Sequence, residues 1–534
     1  AIRQVFGQED ANVEWQDEDI STKLFIHADS YDEFKKDECY YLFGRRGTGK
    51  TYLIRMLNCE ANNNKIKDIC CSIIVKEEDA YHDLSIQIRS SPLSQLSPGD
   101  IVHLLIKKWR WIITISAMQA IYSKYGKNTD NADVNTIKKF LETEDLCTCS
   151  ESQSIWSKLA EVVNKSLESV DYAPLKIGKA VLNITKQLFT SDYGEAENSL
   201  FRLLDSTKKR LFVLIDSIEA YNIRDSISGA ICTALIEAVR QYNSNIKKHI
   251  IVKAAFPSEI YPMLRPMNRE KIEGKNLFIL WRYRDLFCLL SKRYFKRYGD
   301  NTFRNSYDDL NNYEKAKGYL FANFPEYAEA DQGIKFNSVA YIIRHTLKKP
   351  RQVILLFNII YTIAEDQGML YDRLTPSFIN KGVHARLDLL VEGALDIYEQ
   401  VYKNAARIVK RVICEMPICF GYNELMKKFS EINSLRSEAN LSREDVVRLL
   451  LESCALGVQV QGGQKIQNNI ELIEGYFEYQ IKGTIDYTNN TQFVIHPMFY
   501  QEVRNIIDIQ KYIYPMPLED EEKVLVEKMK ILLR

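Results

Sequence analysis

Residues 44–51 read Gly44-Arg45-Arg46-Gly47-Thr48-Gly49-Lys50-Thr51, which fills every fixed position of the pattern Gly-x₄-Gly-Lys-[Ser/Thr]. The chemistry of that spacing is phosphate binding. Glycines let a loop turn its N–H groups inward around phosphate oxygens, the lysine reaches the β/γ oxygens, and the adjacent hydroxyl takes magnesium. The segment therefore calls for a nucleoside triphosphate, read as ATP, with Mg²⁺. Gly44, Arg45, Arg46, Gly47, Thr48, Gly49, Lys50 and Thr51 would hold the nucleotide, and Thr51 would also be a metal ligand. Such a loop needs an acidic residue at the end of a neighbouring strand to hold the magnesium water shell. The apolar run Leu211–Ile215 (LFVLI) leads straight into Asp216, which meets the need as second metal ligand and is counted among the catalytic residues.

Further side chains have the right types for γ-phosphate chemistry. Glu219, just beyond Asp216, serves either as the carboxylate that activates water or as a local cap or ion-pair partner. Arg351, in Lys349-Pro350-Arg351-Gln352, opens an apolar helix. It either points back at the γ-phosphate or is a solvated helix-start charge. Arg265 and Arg269 lie between the last two candidate strands, where an arginine finger for a neighbouring copy would originate. The plain alternative is a pair of surface charges. Ser258, after the IIVKAAF run, is a candidate polar sensor of the phosphate. The seven histidines are dispersed, no second catalytic constellation is visible, and His345 and His496 read as structural.

A phosphate loop works between a strand and a helix, and the sequence supplies both. Tyr40–Phe43 is a short apolar run stopped by Gly44, and Thr51–Asn58 has helical apolar spacing. Cys71–Val75, Leu211–Ile215, Ile250–Phe256 and Asn276–Trp281 read as further strands, with helices near 226–242 and 258–264. Unbroken apolar runs suit strands covered on both faces. Their alternation with helices predicts a parallel sheet. The expected fold class is an α/β P-loop NTPase core with a helical lid and a C-terminal winged-helix domain. Residues 1–79 and 206–283 are the two parts of the core, and 80–205 is an inserted helical block. Residues 284–386 form the lid, with no strand expected up to about residue 366. Residues 387–515 form the winged helix and 516–534 a helical tail. In the winged helix, Ala394–Glu415, Tyr422–Phe429 and Arg443–Ser453 precede two β-rich runs, Tyr476–Thr484 and Thr491–Ile495.

Composition narrows the class. With 534 residues the chain exceeds one hydrophobic core, so several domains are expected. An apolar fraction of 46% beside 27% charged residues is that of a soluble globular protein. Lysine plus arginine balance aspartate plus glutamate at 71 each, which excludes a chain whose whole surface attracts nucleic acid or membrane. The eleven cysteines lack zinc-site spacing and read as free thiols of a reducing cytosol. The opening AIRQVFGQED has no basic-then-apolar leader pattern, and the apolar stretch 109–121 is too short to span a bilayer. A cytoplasmic protein with no membrane partner is expected.

Taken together, these residues resemble AAA+ and STAND-like ATPases related to origin-recognition initiators, and in particular a bacterial branch associated with mobile elements and antiphage defence. The likeness rests on Phe6-Gly7-x-x-Asp10-Ala11-x-x-Glu14, FGRRGTGKT at 43–51 and LFVLIDSIE at 211–219. Trp281-Arg282-Tyr283-Arg284-Asp285-Leu286, Lys349-Pro350-Arg351-Gln352 and Phe493-Val494-Ile495-His496-Pro497 add to it. It implies a switch that couples nucleotide state to assembly with copies of itself or an effector protein. Ser217 departs from the pattern, because many AAA+ ATPases place a catalytic glutamate there, so slow turnover is implied. The inserted block 80–205 lies outside the resemblance and is read as a docking or assembly element.

Two alternatives stay open: a DNA-associated initiator or transposition-type ATPase, and a nucleotide-stabilised scaffold with little turnover. A DNA-reading winged helix needs a basic recognition helix and a basic wing. Arg443 and Arg448 face Glu444, Asp445 and Glu452 in the candidate helix, so nucleic acid is the weaker partner reading. The densest basic groups lie elsewhere, at Lys292, Arg293, Lys296 and Arg297 and at Lys403, Arg407, Lys410 and Arg411.

Overall fold

The structure is a computed structural model. It describes residues 2–7, 11–75, 89, 97–127, 130–147, 158–159, 161–162, 165, 183–216, 226–244, 249–264, 270, 272–299, 306–330, 335–369, 373–399, 401–467, 470–503 and 511–515. The chain divides into two compact units. One comprises Ala1–Ala28, Gly47–Gly49 and Leu280–Arg534; the other comprises Asp29–Arg46 and Lys50–Ile279.

The second of these units holds a parallel five-stranded sheet. Its strands are β1 (Tyr41–Phe43), β2 (Ile69–Val75), β3 (Arg210–Ile215), β4 (Ile250–Phe256) and β5 (Asn276–Phe278), in the order β2-β3-β4-β1-β5. β1, β3 from Leu211 on, and all of β4 are buried, as continuous apolar runs covered on both faces must be. The register is fixed by pairs such as Tyr41↔Ala254 and Leu214↔Lys253. Asp216 was expected on a strand neighbouring the P-loop strand. Instead β4 stands between β1 and β3. The carboxyl end of β3 nevertheless reaches the helix that follows the loop, through Asp216 and Thr51 at 3.2 Å.

The helices Pro98–Tyr125 and Ala132–Thr143 lie within the block 80–205, and Ser191–Thr207 runs two residues past its end. Trp109, Ile112, Ile113, Met118, Leu141 and Leu200 share one apolar core with Phe43, Leu211 and Val252 of the sheet. The described part of the block therefore packs onto the sheet. The helical segment expected at 154–167 falls largely outside the described residues.

Lys253, in the middle of β4, is fully buried, and its ammonium donates to the carbonyls of Phe34 (2.8 Å), Lys36 (2.7 Å) and Cys39 (2.6 Å). Three acceptors match three N–H donors, so this lysine ties the end of the helix Asp29–Lys35 to the sheet just ahead of β1. Burial pulls its pKa down to about 8.

The other unit is largely helical. Tyr283–Tyr298, Tyr313–Asn323, Ser338–Arg344, Pro350–Asp366 and Pro376–His384 carry its apolar core. A short antiparallel pair, β6 (Tyr327–Glu329) with β7 (Lys335–Asn337), interrupts a stretch in which no strand was expected. Three residues per strand are too few for an alternation pattern to stand out. The amino-terminal segment belongs to this unit. Phe6 is buried against Tyr294, Tyr298, Phe357 and Tyr361. Its N–H donates to Asn358 Oδ1 at 2.8 Å.

Beyond residue 386 come the helices Leu387–Glu399, Ala405–Ile413, Tyr422–Glu431, Asn433–Glu438 and Arg443–Glu452. The single expected helix 394–415 is broken, and Asn404 takes a left-handed φ of 60° at the break. With them lies a sheet of β8 (Cys419–Gly421), β9 (Leu456–Gln467), β10 (Ile470–Tyr476), β11 (Gln492–Ile495) and β12 (Lys511–Pro515), ordered β12-β10-β9-β11-β8. The hairpin is β9–β10 rather than the expected 476–484 with 491–495. Of that expectation the second run stands as β11, whereas Glu478–Gln480 is a single 3₁₀ turn.

Two buried histidines give this unit an acid-sensitive core. His345 Nδ1 donates to Tyr341 O at 2.8 Å, and His496 Nδ1 accepts from Met498 N–H at 3.1 Å, capping the turn Pro497–Glu502. Burial, and then the Arg344 charge, hold His345 well below 6.5 and His496 near 3; His384 lowers His345 further. The unfolded chain therefore takes up protons below about pH 6.5 that the folded chain refuses. Stability is full above that value and falls as pH drops from 6.5 toward 3, by at most about 1.4 kcal/mol per pH unit for each histidine. Urea unfolding at pH 7 and pH 5 should show this slope. His496→Asn, which keeps a capping oxygen without titrating, should flatten it by one histidine's share. Identical slopes in the two proteins would remove His496 from the account.

Candidate functional site

The site is built where β1 ends. Gly44 N–H donates to Phe256 O at 3.1 Å and Gly44 O accepts from Ser258 N–H at 3.3 Å, so β4 fixes the start of the loop. Ser258, the candidate polar sensor, thus meets the loop through its backbone. The loop then turns through Gly47 (φ +83°) and Gly49 (φ +92°) and enters the helix Lys50–Asn62. Both φ values lie where a β-carbon costs about 1–2 kcal/mol, which is why glycine stands at these two positions. The helix start adds its N–H groups and a positive dipole end.

Lys50 is only 3% exposed, and its ammonium donates to Gly44 O at 2.8 Å and to Arg45 O at 3.2 Å. Carbonyls of its own loop therefore hold the charge against the turn. Thr51 Oγ1 donates to Asp216 Oδ1 at 3.2 Å, while Asp216 N–H is held by Val75 O at 3.2 Å. A hydroxyl and a carboxylate side by side are a hard-oxygen pair of the kind that holds Mg²⁺ through its waters. These residues fit a magnesium–triphosphate group.

The tip of the loop has its own contacts. Trp281 Nε1–H donates to Thr48 O at 2.8 Å. Arg351 N–H approaches Gly47 O at 3.5 Å, at the start of the helix Pro350–Asp366. Arg351 is therefore at the loop, as a helix-start residue would have to be. From sequence, Trp281 reads as the end of the strand Asn276–Trp281 and as a motif residue, with no role at the site. A lone tryptophan directly after a strand that ends beside the loop was the available signal.

These contacts predict a ranking. A β-carbon added at Gly47 would meet Arg351 Cβ at 3.3 Å, whereas one at Gly49 would meet only Trp281 at 3.9 Å. Gly47→Ala should therefore weaken nucleotide binding more than Gly49→Ala, each by about tenfold or more for the backbone strain alone. Parallel titrations measure this, and equal losses would mean that the Arg351 contact carries nothing.

Of the residues singled out from sequence, Gly44 to Thr51, Asp216 and Arg351 are described; Glu219, Arg265 and Arg269 lie outside the described residues. The first basic group is reassigned in part. Lys292 is buried and donates to Lys23 O (3.0 Å) and Phe25 O (2.6 Å); Arg293 is buried against Glu14. Neither faces solvent, so Lys292 and Arg293 offer no basic surface for DNA, whereas Lys296 and Arg297 are exposed. In the second group Lys410 pairs with Glu502 at 2.8 Å and Arg411 with Glu415 at 3.5 Å.

No known family profile and no curated protein matches the chain. Among solved structures it is similar to the ORC2 protein of Aeropyrum pernix in its ADPNP–ADP complexes, at 11% identity and a TM-score of 0.36, covering 99% of this chain and 98% of that one. It is similar also to Cdc6p from Pyrobaculum aerophilum, at 11% identity and a TM-score of 0.27 over 99% and 98%. Drosophila ORC bound to DNA follows at 9% identity and a TM-score of 0.26 over 91% and 90%. Scores this low carry no argument. The α/β P-loop core rests on the parallel sheet order and on the loop between β1 and its helix.

Proposed function

We propose that this chain is an ATP- and magnesium-binding switch of the AAA+/STAND type, whose nucleotide state governs assembly with copies of itself or with a protein partner. The observation that carries the reading is the Thr51–Asp216 contact at 3.2 Å beside the buried Lys50. It brings Asp216 to the adjacent pair Lys50-Thr51, 165 positions away from Thr51 in sequence, in the combination a magnesium–nucleotide site requires.

In this reading Gly44, Gly47 and Gly49 let the loop surround the phosphates, and Lys50 neutralises the β and γ oxygens. Thr51 and Asp216 hold the magnesium, which when bound offsets charge on the transferred phosphoryl group. Glu219 orients the attacking water, Arg351 responds to the γ-phosphate, and Arg265 and Arg269 serve a neighbouring copy. Ser217 beside Asp216 supports slow turnover.

The helices Ala405–Ile413, Tyr422–Glu431 and Arg443–Glu452 with the β9–β10 hairpin support a winged-helix reading of the carboxyl-terminal part. Its charges favour a protein partner over duplex DNA. Arg448 is engaged by Ile485 O at 3.1 Å and by Glu478 and Glu452. A bacterial defence setting rests on the sequence resemblance. No helix among the described residues is long and apolar enough to cross a membrane.

Light scattering of apo, ATP–Mg and ADP–Mg samples, with phosphate release followed in the same tubes, tests the proposal. Mass that rises with ATP and relaxes with turnover supports the switch. Unchanged mass with bound, unhydrolysed nucleotide replaces it with the scaffold. DNA binding whose affinity falls steeply with salt replaces it with the initiator.

A further inference from the structure

Neighbouring residues of a strand point to opposite faces, so two adjacent cysteines in a regular strand hold their sulfurs apart. Cys70 and Cys71 do not. Their Sγ atoms are 3.6 Å from each other, in contact. The cause is a slip in the ladder of β2, the edge strand of the parallel sheet. Ile69 pairs with Arg210 and Cys71 with the next residue, Leu211, so Cys70 is the extra residue of a bulge. The bulge carries a cation of its own. Lys124, in the last turn of the helix Pro98–Tyr125, donates to the Cys70 carbonyl and to Asn64 Oδ1 at 3.0 Å. Hydrogen bonding from the Cys71 thiol, assisted by Lys124 and opposed by burial, lowers the Cys70 thiol to about 7. The hydrogen bond to Cys70, then burial and the Cys70 charge, push the Cys71 thiol up.

The next residue ties this bulge to the phosphate-binding helix. Ser72 N–H donates to Asn62 Oδ1 at 2.8 Å, and Asn62 Nδ2 donates to Ser72 O at 3.1 Å. Asn62 is the last residue of the helix that Lys50 begins. The far end of that helix is thus clamped to β2 one residue from the sulfurs.

We propose that Cys70 and Cys71 are a peroxide-sensitive vicinal dithiol whose closure to a disulfide loosens this clamp and weakens the phosphate site; the second half rests on the nucleotide reading above. The Cys70 thiolate attacks one peroxide oxygen, the O–O bond breaks, and water leaves a sulfenic acid. The Cys71 sulfur then attacks the Cys70 sulfur, the S–S bond forms, the S–O bond breaks, and a second water leaves. Two electrons pass from the sulfurs to the peroxide, and both thiol protons end in water. Adjacent Cα atoms are about 3.8 Å apart, closer than the usual span of about 4.4–6.8 Å for a disulfide. Closure must therefore move the backbone of the bulge, and the strained bond reopens readily with dithiothreitol.

The test treats the full chain with hydrogen peroxide and maps the products after trypsin. Asp68–Lys76 (DICCSIIVK) contains both cysteines and no other. It should lose about 2 Da, the mass of two hydrogens, and regain it with dithiothreitol. ATP affinity of the oxidised chain should fall about fivefold or more, and Cys70→Ser and Cys71→Ser should show neither effect. A peptide that gains oxygen instead, or stays unchanged while other cysteines react, overturns the dithiol. Closure with unchanged ATP affinity overturns the link to the clamp. If the reduced chain binds no ATP at all, the nucleotide reading and the link fall together, and the peptide mass still decides the sulfur chemistry.

Discussion

Lys50→Ala is expected to bring ATP binding below detection in a chain that still folds. The ammonium is held inside the turn of the loop by Gly44 O and Arg45 O, with 3% of the residue exposed. Charge-assisted hydrogen bonds of this kind contribute about 1.5–3 kcal/mol each. Loss of two on the phosphates weakens affinity by on the order of a hundredfold or more. The fold should tolerate the change, because the two released carbonyls sit in a loop where water can replace the lysine. Calorimetric titration with ATP–Mg reports the binding, and circular dichroism reports the fold. A folded mutant that binds as tightly as the unmodified chain would place the nucleotide elsewhere.

Glu14→Ala is expected to destabilise the largely helical unit by about 3–5 kcal/mol, the usual cost of leaving a buried charge without its partner. Glu14 and Arg293 are 8% and 5% exposed, and they meet in a two-pronged pair with Nη1–Oε1 at 2.9 Å and Nη2–Oε2 at 2.6 Å. Without the carboxylate, the guanidinium keeps Phe6 O as an acceptor at 2.8 Å and stays buried. The effect belongs to breaking the pair and says nothing of the pair's net worth against an apolar replacement. Urea unfolding measures it, and Glu14→Gln, which retains one acceptor oxygen, should lose less. A shift under about 1 kcal/mol for the alanine variant would mean that water reaches Arg293.

The pair also explains why the amino-terminal motif was legible as a resemblance and opaque as chemistry. Phe6 and Glu14 lie far in sequence from Tyr294, Tyr361 and Arg293, so nothing local announces their roles. The same holds for Lys292 and Lys253. A lysine in a charge run or mid-strand reads as a surface charge or an anomaly. What neutralises each one is a set of carbonyls converging from elsewhere in the chain. By contrast, β3 and β4 were plain in the sequence, because a strand covered on both faces must be an unbroken apolar run. The phosphate loop was plain because its glycines, lysine and threonine are adjacent. Asp216 was found from the end of the LFVLI run, although the order of strands, with β4 between β1 and β3, is set by pairing that no single run encodes.

The hairpin β9–β10 was missed for a local reason. β9 (LGVQVQGGQKIQ) is rich in glycine and glutamine, which pack poorly on a pleated face and weaken the β signal. Tyrosines and threonines at 476–491 drew the assignment instead, where the chain forms a 3₁₀ turn and a long connection to β11.

The most direct test of the central claim is calorimetric titration of the unmodified full-length chain with ATP in the presence and absence of Mg²⁺, repeated with Asp216→Asn. The account predicts saturable binding at one site per chain. It also predicts that Mg²⁺ tightens the binding, and that Asp216→Asn abolishes this gain while magnesium-free binding is retained. Saturable binding that ignores both magnesium and Asp216, or no binding at millimolar ATP, would contradict it.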